Sequence, residues 1–338
     1  MRRSTSPWAL ALLGLGVFLL VLAPVLAFYV QPRVKLVPID IDQATHYTGK
    51  GKYFDQDTQK VRDNQTLTIT RRVLADVHDS EKSGRAVLDA STTVDNPKTL
   101  PLKDPRKAYQ WTVERWVIDR ETNLPVHCCG EETGGSADTI QGEAGLKFPF
   151  DVEKRTYQWW DNTLQDTVPL KYSGKKKIQG YTGLRFTGKV TEAVKTGTRQ
   201  VPGAIVGMPD RSQVFADEFY SNSGIELVAD ERTGRIIYAK ISPRKTLRQP
   251  GGNSDKVVLL ESKTGIDFTE ETQRAQVDQA KTESAQLKAV GTTVPLVGGP
   301  LGLLLTAFGL ALVLRGRQGP DEEELTPDGV PPQPVAAS

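Results

Sequence analysis

The sequence predicts a mainly β (α+β) protein: one large antiparallel β-rich domain between two transmembrane helices, with a polar helix before the second. Three observations carry this. Ser4–Gln31 and Ala289–Leu314 hold no charged residue, although Asp, Glu, Lys and Arg make up 25% of the chain. Between them, short runs alternate apolar and polar side chains, the period of half-buried strands. After Phe268 the period becomes helical.

The first span is placed at residues 8–30. Trp8–Val30 is uncharged and rich in Leu, Val and Ala, long enough to cross a hydrocarbon layer of about 30 Å. Arg2 and Arg3 precede it, which puts residues 1–7 in the cytoplasm, and Trp8 and Phe28/Tyr29 fall at the two interfaces. A cleaved signal peptide, with Val25 and Ala27 at the cut, is the rival reading; the apolar run continuing to Val30 favours an uncleaved anchor. The second span is placed at 290–314. Gly298-Gly299-Pro300 weakens its first half as a helix, so the spanning core is expected nearer Pro295–Leu314, ahead of Arg315 and Arg317. Both basic pairs then lie on one side. The reading is a two-pass cell-membrane protein with cytoplasmic termini and residues 31–289 outside. The tail at 315–338 is acidic and Pro-rich with almost nothing to bury, and is expected to be disordered.

Length alone suggests two domains of about 150 residues, but the spans remove part of it, and the rest reads as one domain with ample core. The chain carries 43 Lys+Arg against 41 Asp+Glu. Assigning Arg2, Arg3, Arg315, Arg317 and the tail acids Asp321, Glu322, Glu323, Glu324 and Asp328 to the inside leaves 39 basic and 36 acidic residues. Such a balance speaks against nucleic acid as a partner. Two cysteines exclude a disulfide framework and a multi-cysteine zinc site.

Leu67–Val77 and Tyr109–Val117 alternate as strands should, the latter with Trp116 and Ile118 on the face opposite Trp111 and Val113. Further strands are expected at Arg85–Val94, Ile178–Val190, Ile225–Ala229, Arg235–Ile241 and Val257–Glu261. Two turns share a pattern, Asp119-x-x-Thr122-Asn123 and Asp230-x-x-Thr233-Gly234. In each, Asp caps the turn and Asn or Gly takes the left-handed position. Trp116–Pro125 also resembles the strand–turn hairpin of periplasmic lipoprotein-carrier half-barrels. Thr269 with Glu270 and Glu271 starts a helix over 270–289, with Val277, Ala280, Ser284, Leu287 and Gly291 on one stripe.

Candidate sites are few. Phe148, Phe150, Tyr157, Trp159 and Trp160 crowd five of the 24 aromatics into residues 148–160. Adjacent Trp159 and Trp160 point to opposite faces if extended. The block reads either as core with one ring under a loop, or as an aromatic wall for an apolar ligand. Cys128 and Cys129 form a vicinal disulfide, stay as free or intermolecular thiols, or, as the least favoured reading, bind metal. Lys171, Lys175, Lys176 and Lys177 flank a Ser-Gly pair read as a solvated hairpin tip, with anionic headgroups as the sharper alternative. No Walker loop, dinucleotide fingerprint, zinc-protease motif or nucleophile elbow occurs. The expectation is a non-enzyme with no metal and no cofactor.

Several blocks together resemble a family of actinobacterial two-span envelope proteins of unknown function, some of them labelled porin PorA family. They are the exit of the first span, Leu22-Ala-Pro24-Val-Leu-Ala-Phe28-Tyr29-Val30, the block Phe148–Asp161, the stretch Ala216–Gly234 and the second span. The likeness spans nearly the whole chain, contains no catalytic signature and transfers no functional residue. The layout is also similar in topology to the CD36-type scavenger receptors of animals, whose β-rich ectodomain passes lipids toward the membrane. A lipid-facing barrel is disfavoured, because the strands carry charged residues too densely for an apolar outer band. The leading expectation is binding or transfer of a lipid or other hydrophobic envelope component, with membrane lipid, a hydrophobic ligand and further copies of the chain as partners. A porin or channel subunit, built from helices in contact at Gly298, Gly299, Gly302 and Gly309, and a non-catalytic scaffold or sensor are the alternatives.

Overall fold

The computed structural model describes residues 7–134 and 139–317. Arg2 and Arg3, and the acidic stretch from 318 onward, lie outside the described residues. The chain divides into two units, Pro32–Lys288 and the terminal segments up to Gln31 and from Ala289.

In the terminal unit, α1 (Pro7–Pro24) runs through a π-helical turn at Val25–Val30 into the short α2 (Gln31–Val34). The second span is α5 (Val294–Arg317), which follows a π-helical turn at Ala289–Thr293. Both runs are long and apolar enough to cross a membrane. Gly298-Gly299-Pro300 does not break α5, which carries Pro300 in its interior. The two helices touch through small residues. A Cβ added to Gly16 would meet Thr306 Oγ1 at 2.4 Å, and one on Gly309 would meet Leu13 N at 2.7 Å. Gly302 faces Gly16 and Leu19, whereas Gly298 and Gly299 have nothing within 4 Å. The large side chains Phe18, Phe28, Leu296, Leu304 and Phe308 stay exposed, as lipid-facing residues do.

The other unit is one 12-stranded sheet. Its strands are β1 (Asp42–Asp55), β2 (Lys60–Ala75), β3 (Ala86–Asp95), β4 (Gln110–Ile118), β5 (Glu132–Thr133), β6 (Tyr157–Asp161), β7 (Asp166–Ile178), β8 (Tyr181–Val201), β9 (Val214–Ala229), β10 (Ile236–Arg248), β11 (Asp255–Glu261) and β12 (Ile266–Phe268). The order is β5-β4-β3-β2-β1-β11-β10-β9-β8-β7-β6, with β12 paired to β1 and β10, and every ladder is antiparallel. The fold class read from the sequence is the one observed.

The sheet curls on itself. Asn162, just after β6, donates to Thr112 Oγ1 on β4 at 3.4 Å, and Lys245 Nζ on β10 donates to Gln110 Oε1 on β4 at 3.0 Å. Strands at opposite ends of the order therefore meet through side chains. Trp116 is the bulkiest fully buried residue, at 2% exposure, and side chains of that size contribute about 3 kcal/mol each when removed from water. On the other face of β4, Trp111 and Val113 remain 45% and 37% exposed.

Helix α3 (Val77–Ser83) is capped by Asp76, whose carboxylate accepts from Asp79 N, and stopped by Gly84 in the left-handed region. Helix α4 (Glu270–Lys288) begins at Thr269, whose Oγ1 accepts from Thr272 N. It packs Val277 and Ala280 onto Ile178, Val228 and Ile237, and Glu283 takes both Nε and Nη2 of Arg235. The stripe read from the sequence as far as Ser284 is the buried one.

The lysine-rich segment corrects one expectation. Ser173–Gly174 is not a hairpin tip but an irregularity within β7, where the register to β8 shifts between Tyr172 and Lys175. The turn lies at Gln179–Gly180, both at positive φ. Lys176 there donates to Glu226 and lies over the Tyr238 ring at 4.2 Å.

Candidate functional site

The aromatic block forms two packed surfaces rather than one wall. Strand β6 alternates, so its neighbouring tryptophans face opposite ways. Trp159 joins a cluster with Phe148, Tyr157, Phe186 and Leu227, while Trp160 joins Trp116, Leu88 and Ile140. Phe148 stacks on Phe186 at 4.7 Å and meets Tyr157 edge-on at 5.3 Å. Both tryptophans are buried, where the sequence left one of them under a loop. The sequence has no signal for what makes Trp160 tolerable there. Its Nε1 donates to Glu114 Oε1 at 2.7 Å, and Glu114 also accepts from Arg71 at 3.1 Å. A buried carboxylate with two charge-assisted or indole donors is satisfied; one without them would not be.

Phe150, at the far end of the block, is half-buried and lies between amines: Lys147 Nζ is 3.8 Å from its ring centroid and Lys35 Nζ 5.8 Å. Burial pushes the Lys147 amine down to about 7, with the nearby Arg235 guanidinium adding to the effect. The segment carrying these residues is held by the two matching turns. Asn123 Nδ2 donates to the carbonyls of Lys147 and Phe148. From the other turn, Gly234 O accepts from Phe148 N, and Arg232 O and Glu231 O accept from Asp151 N and Val152 N. Each turn is closed by its own aspartate, Asp119 taking Thr122 N and Oγ1, and Asp230 taking Thr233 N and Oγ1.

Cys128 and Cys129 are joined to each other. The turn they make has Cys129 and Gly130 at positive φ. Beyond it, Glu131 accepts from Ile140 N and meets His127 Nδ1 at 3.0 Å, and β5 pairs with Glu114 and Arg115 of β4. Among the described residues no group of three or more His, Cys, Asp and Glu is placed to hold a metal ion.

A cavity lies elsewhere, on the outward face of β2, β3 and β4. It measures about 720 Å³. Register makes its floor: Leu74 stands across from Asp89 and Arg115, Arg72 from Ser91 and Val113, and Thr70 from Thr93. The segment Leu100–Pro105 forms one rim and Glu132 of β5 contributes to the lining. Its floor cations are neutralised. Arg72 pairs with Asp42 at 2.8 Å, and Arg115 with Asp76, Asp79 and Asp89 at 2.8, 2.6 and 2.8 Å. A smaller, polar cavity of about 540 Å³ lies between Asp151, Tyr181, Asp230 and Ser284. Its Asp151 is bound to Lys35, and its Asp230 to the turn and to Tyr181.

Three comparisons place the chain among known proteins. It is 23% identical to a Porin PorA of Corynebacterium resistens over 91% of this chain and 96% of that one. It is 21% identical to a Porin PorA of Corynebacterium amycolatum, over 89% and 97%. The family model described as Porin PorA matches residues 8–311, from the first span through most of the second. A match that takes in both apolar helices and the whole sheet between them shows that the chain belongs to the Porin PorA family.

Proposed function

We propose that the protein is a channel-type membrane protein whose path through the hydrocarbon layer is built by its helices, in an assembly of several copies. The observation that carries this is the distribution of apolar surface. The outward face of the sheet bears ion pairs such as Asp42–Arg72, Arg185–Glu226 and Arg244–Asp255, which a lipid-facing barrel strand cannot present at mid-depth. The helices present the apolar side chains instead. Two helices in contact at Gly16, Gly302 and Gly309 enclose no lumen, so a pore requires further copies, and Gly298 and Gly299 are the small residues left open for them. The names of the relatives support a pore. In this reading both spans cross the membrane, both termini lie on the cytoplasmic side, and the sheet stands outside without catalytic chemistry.

The test is conductance of the purified full-length protein in planar bilayers. Discrete currents are expected, reduced by Gly298→Leu and Gly299→Leu, which leave the intrachain helix contact intact. A full-length protein that is silent across salt and voltage overturns the proposal.

A further inference from the structure

We propose that the Cys128–Cys129 pair is a site of reversible thiol–disulfide exchange with low-molecular-weight thiols, and that its state decides whether β5 stays on β4. The site is independent of the channel reading and would survive its failure. Three observations carry it.

The first is what the bridge does not do. These are the two cysteines of the chain, and they are joined to each other across a single peptide bond. A cross-link stabilises a fold mainly by restricting the unfolded chain, an effect that grows with the loop it closes. Adjacent residues close the shortest loop there is, so the bridge is no staple for the sheet. Its effect is confined to the local backbone.

The second is where that backbone goes. Val126 N donates to Val117 O on β4, and Glu132 of β5 pairs with Arg115 on the same strand. The two attachment points are next neighbours but one on β4, whereas the excursion His127–Glu131 separates them on the other segment. The bridge sits within this excursion. Around it Cys128 N donates to Val126 O at 2.8 Å, Glu131 N donates to Cys128 O at 3.2 Å, and Glu131 Oε2 meets His127 Nδ1 at 3.0 Å. Cys129 holds φ 61°, a left-handed conformation that costs a residue with a Cβ, and opening the bridge frees it to leave. Beyond the excursion, β5 is two residues long, and Gly134 N donating to Val113 O at 3.0 Å completes its hold on β4. So short a ladder opens easily and depends on how the preceding chain delivers it.

The third is access. Cys129 is exposed and Cys128 half-buried, so attack from solvent falls on Cys129. A thiolate bonds to Cys129 Sγ, the bond between the two protein sulfurs breaks, and Cys128 leaves as a thiolate that takes a proton from water. A second thiol attacks the mixed disulfide and releases Cys129. Two electrons and two protons pass to the protein, and two small thiols become one disulfide. The excursion then relaxes, and β5 loses its register together with Glu132, which lines the cavity on β2, β3 and β4.

The full-length protein in nanodiscs supplies the test, equilibrated without denaturant in glutathione buffers of graded redox state. Alkylation followed by peptide mass spectrometry reads the thiols, and amide hydrogen exchange reads residues 131–134. The bridge is expected to open within the glutathione range, where structural disulfides resist reduction. Opening should speed exchange at Gly134 N about tenfold and leave the β8–β9 ladder unchanged. Cys128→Ser combined with Cys129→Ser should show the fast exchange from the outset, with no response to glutathione. Reoxidation should restore slow exchange without joining one copy to another. A bridge that opens only when the sheet unfolds overturns the exchange site, as does reoxidation into cross-linked copies. Opening with unchanged exchange at residues 131–134, or a double variant that exchanges like the oxidised protein, overturns the link to β5.

Discussion

The turns at Asp119–Asn123 and Asp230–Gly234 are built from the same parts, yet one tolerates a side chain in its left-handed position and the other does not. Asn123 sits at φ 61° and uses its amide to grip the carbonyls of Lys147 and Phe148. Gly234 sits at φ 73°, and a Cβ there would meet Phe148 O at 2.1 Å and Pro149 O at 2.4 Å. The backbone conformation is common to both, so it does not choose the residue. Clearance does. The aromatic segment runs at arm's length from the first turn and directly against the second.

Exchanging the residues is the largest expected break. Gly234→Asn should cost about 4 kcal/mol, because the overlap with two carbonyls forces the segment away as well as straining the turn. Asn123→Gly should cost about 1 kcal/mol, the loss of neutral hydrogen bonds at a position glycine accepts. Urea denaturation of both variants measures the asymmetry, and equal losses would refute the clearance argument.

The capping aspartates sharpen the same contrast. Asp230 is buried and accepts from Thr233 N, Thr233 Oγ1 and Tyr181 OH. Asp230→Ala strands these donors away from water and should cost about 2–3 kcal/mol. Asp119 is half-buried, its carboxyl held below the usual range mainly by the Thr122 N–H, and it pairs with a partly exposed Arg85. Asp119→Ala should cost about 1 kcal/mol.

A pH-dependent effect concerns Lys147, whose amine donates to Thr233 O of the second turn. Its folded value of about 7 lies below that of an unfolded lysine. Between those values the unfolded chain binds the extra proton, so this group makes stability rise with pH from about 7 toward 10. Lys147→Met should remove that rise and stabilise most below pH 7. Thermal melts at pH 6 and pH 9 read it: a wild-type-minus-variant difference that does not shrink at pH 9 counts against the assignment.

Much of this was legible from local signals. Strand period located β2, β3, β4, β10 and β11, and the Asp-x-x-Thr pattern located both turns. Thr269 located the start of α4, and the uncharged runs the two spans. What was illegible is non-local. That Trp160 is satisfied by Glu114, 46 residues away, depends on the sheet curling. That Ser173–Gly174 is an irregularity rather than a turn depends on β8 continuing alongside it. The cavity on β2, β3 and β4 had a visible trace, Val113 on the face opposite Trp116, but only register with β2 and β3 assembles its floor.

The strand order has a consequence for how the chain is made. β1 closes the middle of the sheet against β11 and β12, so His46 N reaches Thr272, 226 residues further on. A ribosome must release nearly the entire domain before its central seam can form. Until then the β1–β5 and β6–β10 halves wait with open edges, vulnerable to pairing with the wrong neighbour. Folding of the sheet in this protein is therefore expected to be completed only once β11 and β12 have emerged.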